Sequence, residues 1–205
     1  MEVWGAAMAG SRVEPLRDRE VIPPSLLRSL AEKGKRYGLH SVIPIDTGQI
    51  VVAHWVHLKC RYGCKNYNTN WCCPPVTPGP EAVKVLLGEY ERALLLVGTR
   101  TCPEFYLDNG RKRANQVRCW KGTVSLERTL FLEGYHKAFG LVGESCGLCK
   151  ECAYPGDCRF PQEKRPSVES FSIDLFGTLR NLGISPRIAQ GRKESFHYYG
   201  LILLK

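Results

Sequence analysis

The chain has 205 residues, 43% of them apolar, with a formal net charge of +9 at neutral pH. That length supports one domain with a proper core, and the apolar content is too high for a disordered chain. No apolar run is long enough to span a membrane, and Met1 to Gly10 lacks the basic start and apolar core of a signal peptide.

Residues 1–20 read as a loose tail and residues 21–205 as one domain. Pro24 to Tyr37 reads as a helix, with Leu26, Leu27, Leu30 and Ala31 on one face and Gly38 as the stop. Ser41 to Asp46 and Gln49 to Val56 are β-rich runs around Thr47-Gly48, a hairpin signal, and the second delivers the chain into Cys60. Pro80 to Tyr90 is a short helix begun by proline, and Ala93 to Val97 is an apolar run fit for a buried strand. After a turn at Asp108-Asn109-Gly110, Arg113 to Phe139 reads as a long helix closed by Gly140. Ser167 suits an N-cap for a helix from Val168, whose stripe of Phe171, Leu175, Leu179 and Leu182 ends at Gly183. His197 to Leu204 is the last strand. Strands and helices interleave without a βαβ rhythm, so the expected fold is α+β, a mixed or antiparallel sheet with flanking helices and two cysteine-rich loops at 57–78 and 144–166.

Those loops hold eight of the ten cysteines, and with no export signal they point to ligands in a reducing cytoplasm rather than to disulfides. Cys146, Cys149 and Cys152 repeat every third residue and Cys158 follows. Three thiols so spaced on irregular backbone can face one object wide enough to take a thiolate at each of several corners, as a 4Fe–4S cluster does. Zinc sites usually draw two close cysteines from one knuckle and two from elsewhere, so zinc is the lesser alternative. The first group comprises Cys60, Cys64, Cys72 and Cys73, in a stretch without helical or strand periodicity. There Gly63 permits close backbone approach or positive φ, and Pro74 and Pro75 stiffen the exit. Neighbouring side chains in extended backbone point opposite ways, so Cys72 and Cys73 are expected to split into ligand and spare, with Pro74 favouring Cys73 as the ligand. Cys102 and Cys119 receive no role. Neither do His40, His54, His136 and His197.

The net charge counts every thiol as neutral; two clusters of four thiolates, each about −2, lower it to about +5. Lys59, Arg61, Lys65, Lys150, Arg159, Lys164 and Arg165 flank the cysteine motifs, where cations ease burial of cluster charge. No helix-turn-helix, RNA-reading aromatic strand or Cys/His finger accompanies them, so nucleic acid is disfavoured as the partner.

Lys59-Cys60-Arg61-Tyr62-Gly63-Cys64, Cys73-Pro74-Pro75, the Cys146 to Pro161 run, Arg165-Pro166-Ser167-Val168-Glu169 and Ile173-Asp174 together resemble the DUF2284 family of predicted metal-binding proteins. The likeness runs from about His54 to the C-terminus and includes Leu126-Glu127-Arg128 and Tyr199-Gly200-Leu201. It implies a small cytoplasmic, mostly anaerobic prokaryotic protein that holds iron–sulfur clusters, and it supplies no reaction. Family members carry one cysteine before the two prolines, so Cys72 is a departure. The second motif also looks like a bacterial ferredoxin run, in which the fourth cysteine serves the other cluster. Whether Cys158 joins its own group or Cys60, Cys64 and Cys73 is therefore open.

Two classes of function follow. The first is an electron carrier or redox accessory protein with two 4Fe–4S clusters and an acidic protein partner. The second is an enzyme whose Cys60 centre has an open iron for a small-molecule substrate. His57, Tyr62, Tyr67 and Asp174 are its candidate acid/base groups, and His57, three residues before Cys60, is equally a candidate fourth ligand. A zinc-stabilised interaction module is a further alternative.

Overall fold

Leu94-Leu95-Leu96 is apolar at three consecutive positions, which suits a strand covered on both faces. The computed structural model describes residues 22–101, 110–186 and 194–205. In it all three leucines are fully buried in β2 (Arg92–Thr101). This strand pairs antiparallel with β1 (Ser41–Asp46) on one side and β4 (Ser195–Leu204) on the other, and β3 (Phe139–Leu141) pairs with the far edge of β4. The order is β1-β2-β4-β3. Leu95 lies opposite Ile43 and Leu201, so each pleat face carries one apolar set.

One face, with Ala93, Leu95, Val97, Leu201 and Leu203, packs on α3 (Pro80–Leu87) and α5 (Leu175–Asn181) through Val83, Leu87 and Leu179. The other, with Leu94, Leu96, Ile202 and Leu204, packs on α1 (Pro24–Lys35) and α4 (Gly110–Leu132) through Leu26, Leu30, Leu126 and Leu130. Each such leucine contributes about 2 kcal/mol through burial. The α+β expectation holds, with an antiparallel sheet. Among the described residues no helix is long and apolar enough to cross a membrane.

Four expectations need correction. Gln49 to Val56 is not a strand. Thr47–Gln49 form a 3-10 turn in which the Gln49 side chain accepts from the Asp46 N–H at 3.2 Å, and α2 begins at His54 and runs to Gly63. The β-branched segment between them is extended but pairs locally: Ala53 N–H donates to Ser172 O at 2.9 Å and Asp174 N–H to Val51 O at 2.7 Å. Cys60 therefore lies on a helix rather than on irregular backbone, and Gly63 is its last residue, without positive φ and with open space where a Cβ would sit.

The long helix stops at Leu132, not Phe139. Gly134 takes φ +95° and Tyr135 N–H reaches back to Leu130 O at 3.0 Å, a helix-ending motif that frees residues 139–141 to join the sheet. The helix expected from Val168 is broken as well. Ser167 caps a 3-10 turn, Glu169–Phe171, by accepting from Ser170 N–H at 3.1 Å; Ser172 then turns left-handed at φ +57°, and Asp174 caps α5. Two capping residues so close together start two short segments rather than one long one. The N-terminal tail, Cys102 and most of the Asp108-Asn109-Gly110 turn lie outside the described residues.

Candidate metal centre

The local pairing of residues 51–53 with residues 172–174 sets α2 beside the Glu169–Phe171 turn. On a helix, Val56, His57, Cys60 and the capping residue Cys64 share one face, and Trp55, Leu58 and Tyr62 share the other. The exposures agree: Val56 is buried, while Trp55, Leu58 and Tyr62 are all exposed. Cys60 is half-buried on the first face, and Cys64, just past the end of α2, is exposed. Cys73 feels the charge of both of them and, after them, that of Cys146, so it stands between this pair and the second loop.

Cys72 stands with the second loop. Its thiol is hydrogen-bonded to that of Cys146, and it packs with Cys146 and Leu148 against Trp120 and Val142. Cys72, Cys146, Cys149, Cys152 and Cys158 all line one cavity of about 350 Å³. Cys72 therefore lies with the Cys146 group, Cys73 feels Cys64 and Cys60 ahead of Cys146, and Cys158 lies with its own sequence neighbours.

Asn70 organises the Cys72-Cys73 pair. Buried itself, it accepts from Cys72 N–H through Oδ1 at 2.9 Å and hydrogen-bonds the Cys73 side chain. Trp71 donates its indole N–H to Gly156 O at 2.9 Å and meets the ring of Tyr154 edge-on at 5.1 Å. The Tyr154 hydroxyl donates to Asn68 Oδ1 at 3.0 Å. On α4, fully buried Trp120 donates to Glu163 O at 2.7 Å, holding the far end of the second loop. The two cysteine loops are thus laced together by side chains around the thiols. Asn70, Trp71, Trp120 and Tyr154 were not among the sequence candidates, although the Asn-Trp pair directly before Cys72 is a signal.

Burial and mutual repulsion oppose ionisation of the thiols. Burial pushes the Cys73 thiol up to about 11, against a partial pull from Asn70 and with a further push from Cys64 and Cys60. The Cys72 thiol is driven up first by its bond to Cys146 and then by burial. Cys60 is raised by burial and by the charges of Cys64 and Glu169. Glu169 is itself raised by burial and held back by hydrogen bonds from its own backbone and the Ser167 hydroxyl. Metal uptake here must displace protons, as thiolate ligation always requires.

Soft thiols in two convergent groups are the donor chemistry of metal sites. A family model described as predicted metal-binding protein (DUF2284) matches residues 43–204, a span that takes in both groups. The chain belongs to the DUF2284 family. No curated protein and no solved structure matches it. The DUF2284 match begins in β1, upstream of the His54 start read from the motifs, and ends in β4.

Within this DUF2284 chain, no three His, Cys, Asp or Glu side chains among the described residues are gathered closely enough to hold a single metal ion. The other candidates divide clearly. Asp174 is the α5 cap, accepting from Gly177 N–H at 2.8 Å, and Tyr62 is 76% exposed. Tyr67 is half-buried, with its N–H on Cys64 O at 3.2 Å. His57 presents a buried Nδ1 with no hydrogen-bond partner among the described residues. His54 pairs with Glu81 at 2.8 Å, His40 bonds Ser41 and Thr99, His197 bonds Thr99, and His136 is exposed. Cys119 packs in the core on the α1 and α4 face and lines neither cavity. Of the flanking cations, Arg165 is spent on Glu127, while Lys150 and Lys164 line the cavity. A second, mainly apolar cleft of about 260 Å³ opens on Cys60 and Cys64, with Trp55, Phe176 and Glu169 among its walls.

Proposed function

We propose that this chain is an iron–sulfur protein holding two 4Fe–4S clusters and serving as an electron carrier or redox accessory protein in the cytoplasm of an anaerobic metabolism. The observation that carries the reading is the cavity walled by Cys72, Cys146, Cys149, Cys152 and Cys158, with Cys60 and Cys64 on a separate cleft and Cys73 adjoining Cys72. A water molecule takes about 30 Å³. The cavity of about 350 Å³ is more than ten times that and walled by five thiols, which suits an object much larger than one ion.

A 4Fe–4S cluster stores and releases single electrons at a potential set by charge, hydrogen bonding and exposure. Cys146, Cys149, Cys152 and Cys158 would hold one cluster, and Cys60, Cys64 and Cys73 the other. Cys72, on Cys146, supplies a hydrogen bond to a ligand sulfur. Lys150 and Lys164 offset anionic charge at the cavity wall. Exposed Trp55, Leu58 and Tyr62, with Lys59, Arg61 and Lys65 nearby, make the outer face of α2 a fitting contact for an acidic redox partner.

The test is electron paramagnetic resonance of anaerobically prepared, fully reduced protein. Two neighbouring clusters give a spectrum broadened by their mutual coupling, and Cys73→Ser simplifies it to that of one cluster. A wild-type spectrum with no coupling between centres would sink the carrier reading.

The apolar cleft on Cys60 and Cys64 favours a second reading, an enzyme with a substrate on an open iron there and Glu169 as its acid/base group. Cyanide or a small thiol then changes the spectrum of the Cys60 centre in wild-type protein. The carrier reading expects no change.

A further inference from the structure

Cys60, Cys64 and Cys73 give their centre three thiols, one donor fewer than the corners of a cubane. Cys72 is engaged with Cys146, and Asn70 with Cys72 and Cys73. The Glu169 carboxylate reaches Cys60 electrostatically but already accepts hydrogen bonds from Ser167 and its own backbone, and it would add another negative charge to three thiolates.

His57 differs on each count. Its Nδ1 is buried and has no hydrogen-bond partner among the described residues, a condition that is costly when nothing relieves it. A neutral imidazole offers that nitrogen as a lone-pair donor and a metal ligand. Positions 57, 60 and 64 follow one another by three and four residues, the spacing that puts side chains on one helix face. We infer that His57 completes the Cys60, Cys64 and Cys73 centre through Nδ1, giving a three-cysteine, one-histidine ligand set. This assignment rests on the metal-binding reading of that centre. The consequence is a raised potential: a neutral imidazole in place of a thiolate removes one negative charge from the Cys60 centre.

The experiment is pulsed electron paramagnetic resonance on reduced holoprotein from cells fed ¹⁴N- or ¹⁵N-histidine. Wild type is expected to show a strong nitrogen coupling that changes with the isotope, and Glu169→Gln to keep it. His57→Ala is expected to lose the coupling. His57→Cys is expected to lose it while retaining the iron, with the potential of that centre lowered. Iron-replete wild type without a histidine nitrogen coupling, or a coupling that survives His57→Ala, overturns the ligand and leaves the two-centre reading standing. Protein that takes up no iron overturns both.

Discussion

Trp71 and Gly156 are 85 residues apart in sequence, yet the indole N–H of one donates to the carbonyl of the other at 2.9 Å. That bond, with the Trp71–Tyr154 edge contact, fixes the first cysteine loop to the second. A net hydrogen bond contributes about 1 kcal/mol and an aromatic pair about as much again. Trp71→Phe, which keeps a ring, is expected to cost about 1 kcal/mol and Trp71→Ala about 2 kcal/mol or more. Denaturant unfolding of the holoprotein measures both. Iron loss to a chelator should quicken in the same order, and equal rates in wild type and Trp71→Ala would show that the bond does not hold the loops.

Gly140 sits where α4 meets the sheet. A Cβ there would lie 2.7 Å from Glu127 Oε2, the atom that accepts from Arg165 Nε at 2.7 Å. Gly140→Ala is expected to push Glu127 off Arg165 at a cost of about 2 kcal/mol. In a Glu127→Ala background that penalty shrinks, because the clashing atom is gone. The same penalty in both backgrounds, read by urea unfolding, would place the strain elsewhere.

The proposed division of the cysteine pair predicts different losses from adjacent substitutions. Cys73→Ser should remove the Cys60 centre and Cys149→Ser the Cys146 centre, each with loss of the stability that folding around metal supplies. Cys72→Ser should keep both and shift the potential of the Cys146 centre alone, through the sulfur it contacts. Cys119→Ser should leave the iron untouched, since that thiol packs in the α1 and α4 core cluster and lines neither cysteine cavity. Iron analysis and resonance spectra of the four variants decide the partition. Loss of the Cys60 signal in Cys72→Ser would reverse it.

Burial made the fold legible in outline. Leu94-Leu95-Leu96 announces a strand covered on both faces, and Leu26 and Leu30 announce the helix that covers one of them. The errors arose where local chemistry outweighed periodicity. Ile50-Val51-Val52 has strand composition but pairs with residues 172–174, a partner that no local pattern reveals. Gly134 ended α4 one turn after a helix-compatible stretch, and Asp174 set a second cap that cut one expected helix in two. At the site the eight cysteines stood out by spacing alone. The expected parting of Cys72 and Cys73 assumed extended backbone, whereas the two lie in a turn and a bend, and no spacing placed Cys72 on Cys146. That depends on Asn70 and on the buried Trp120, tertiary contacts with no sequence period.

The central claim is that both thiol groups hold iron–sulfur clusters, and metal content tests it most directly. Protein made and purified without oxygen should be brown and contain roughly eight iron and eight sulfide per chain. Colourless protein carrying stoichiometric zinc, with no sulfide after anaerobic reconstitution with iron and sulfide, would contradict it.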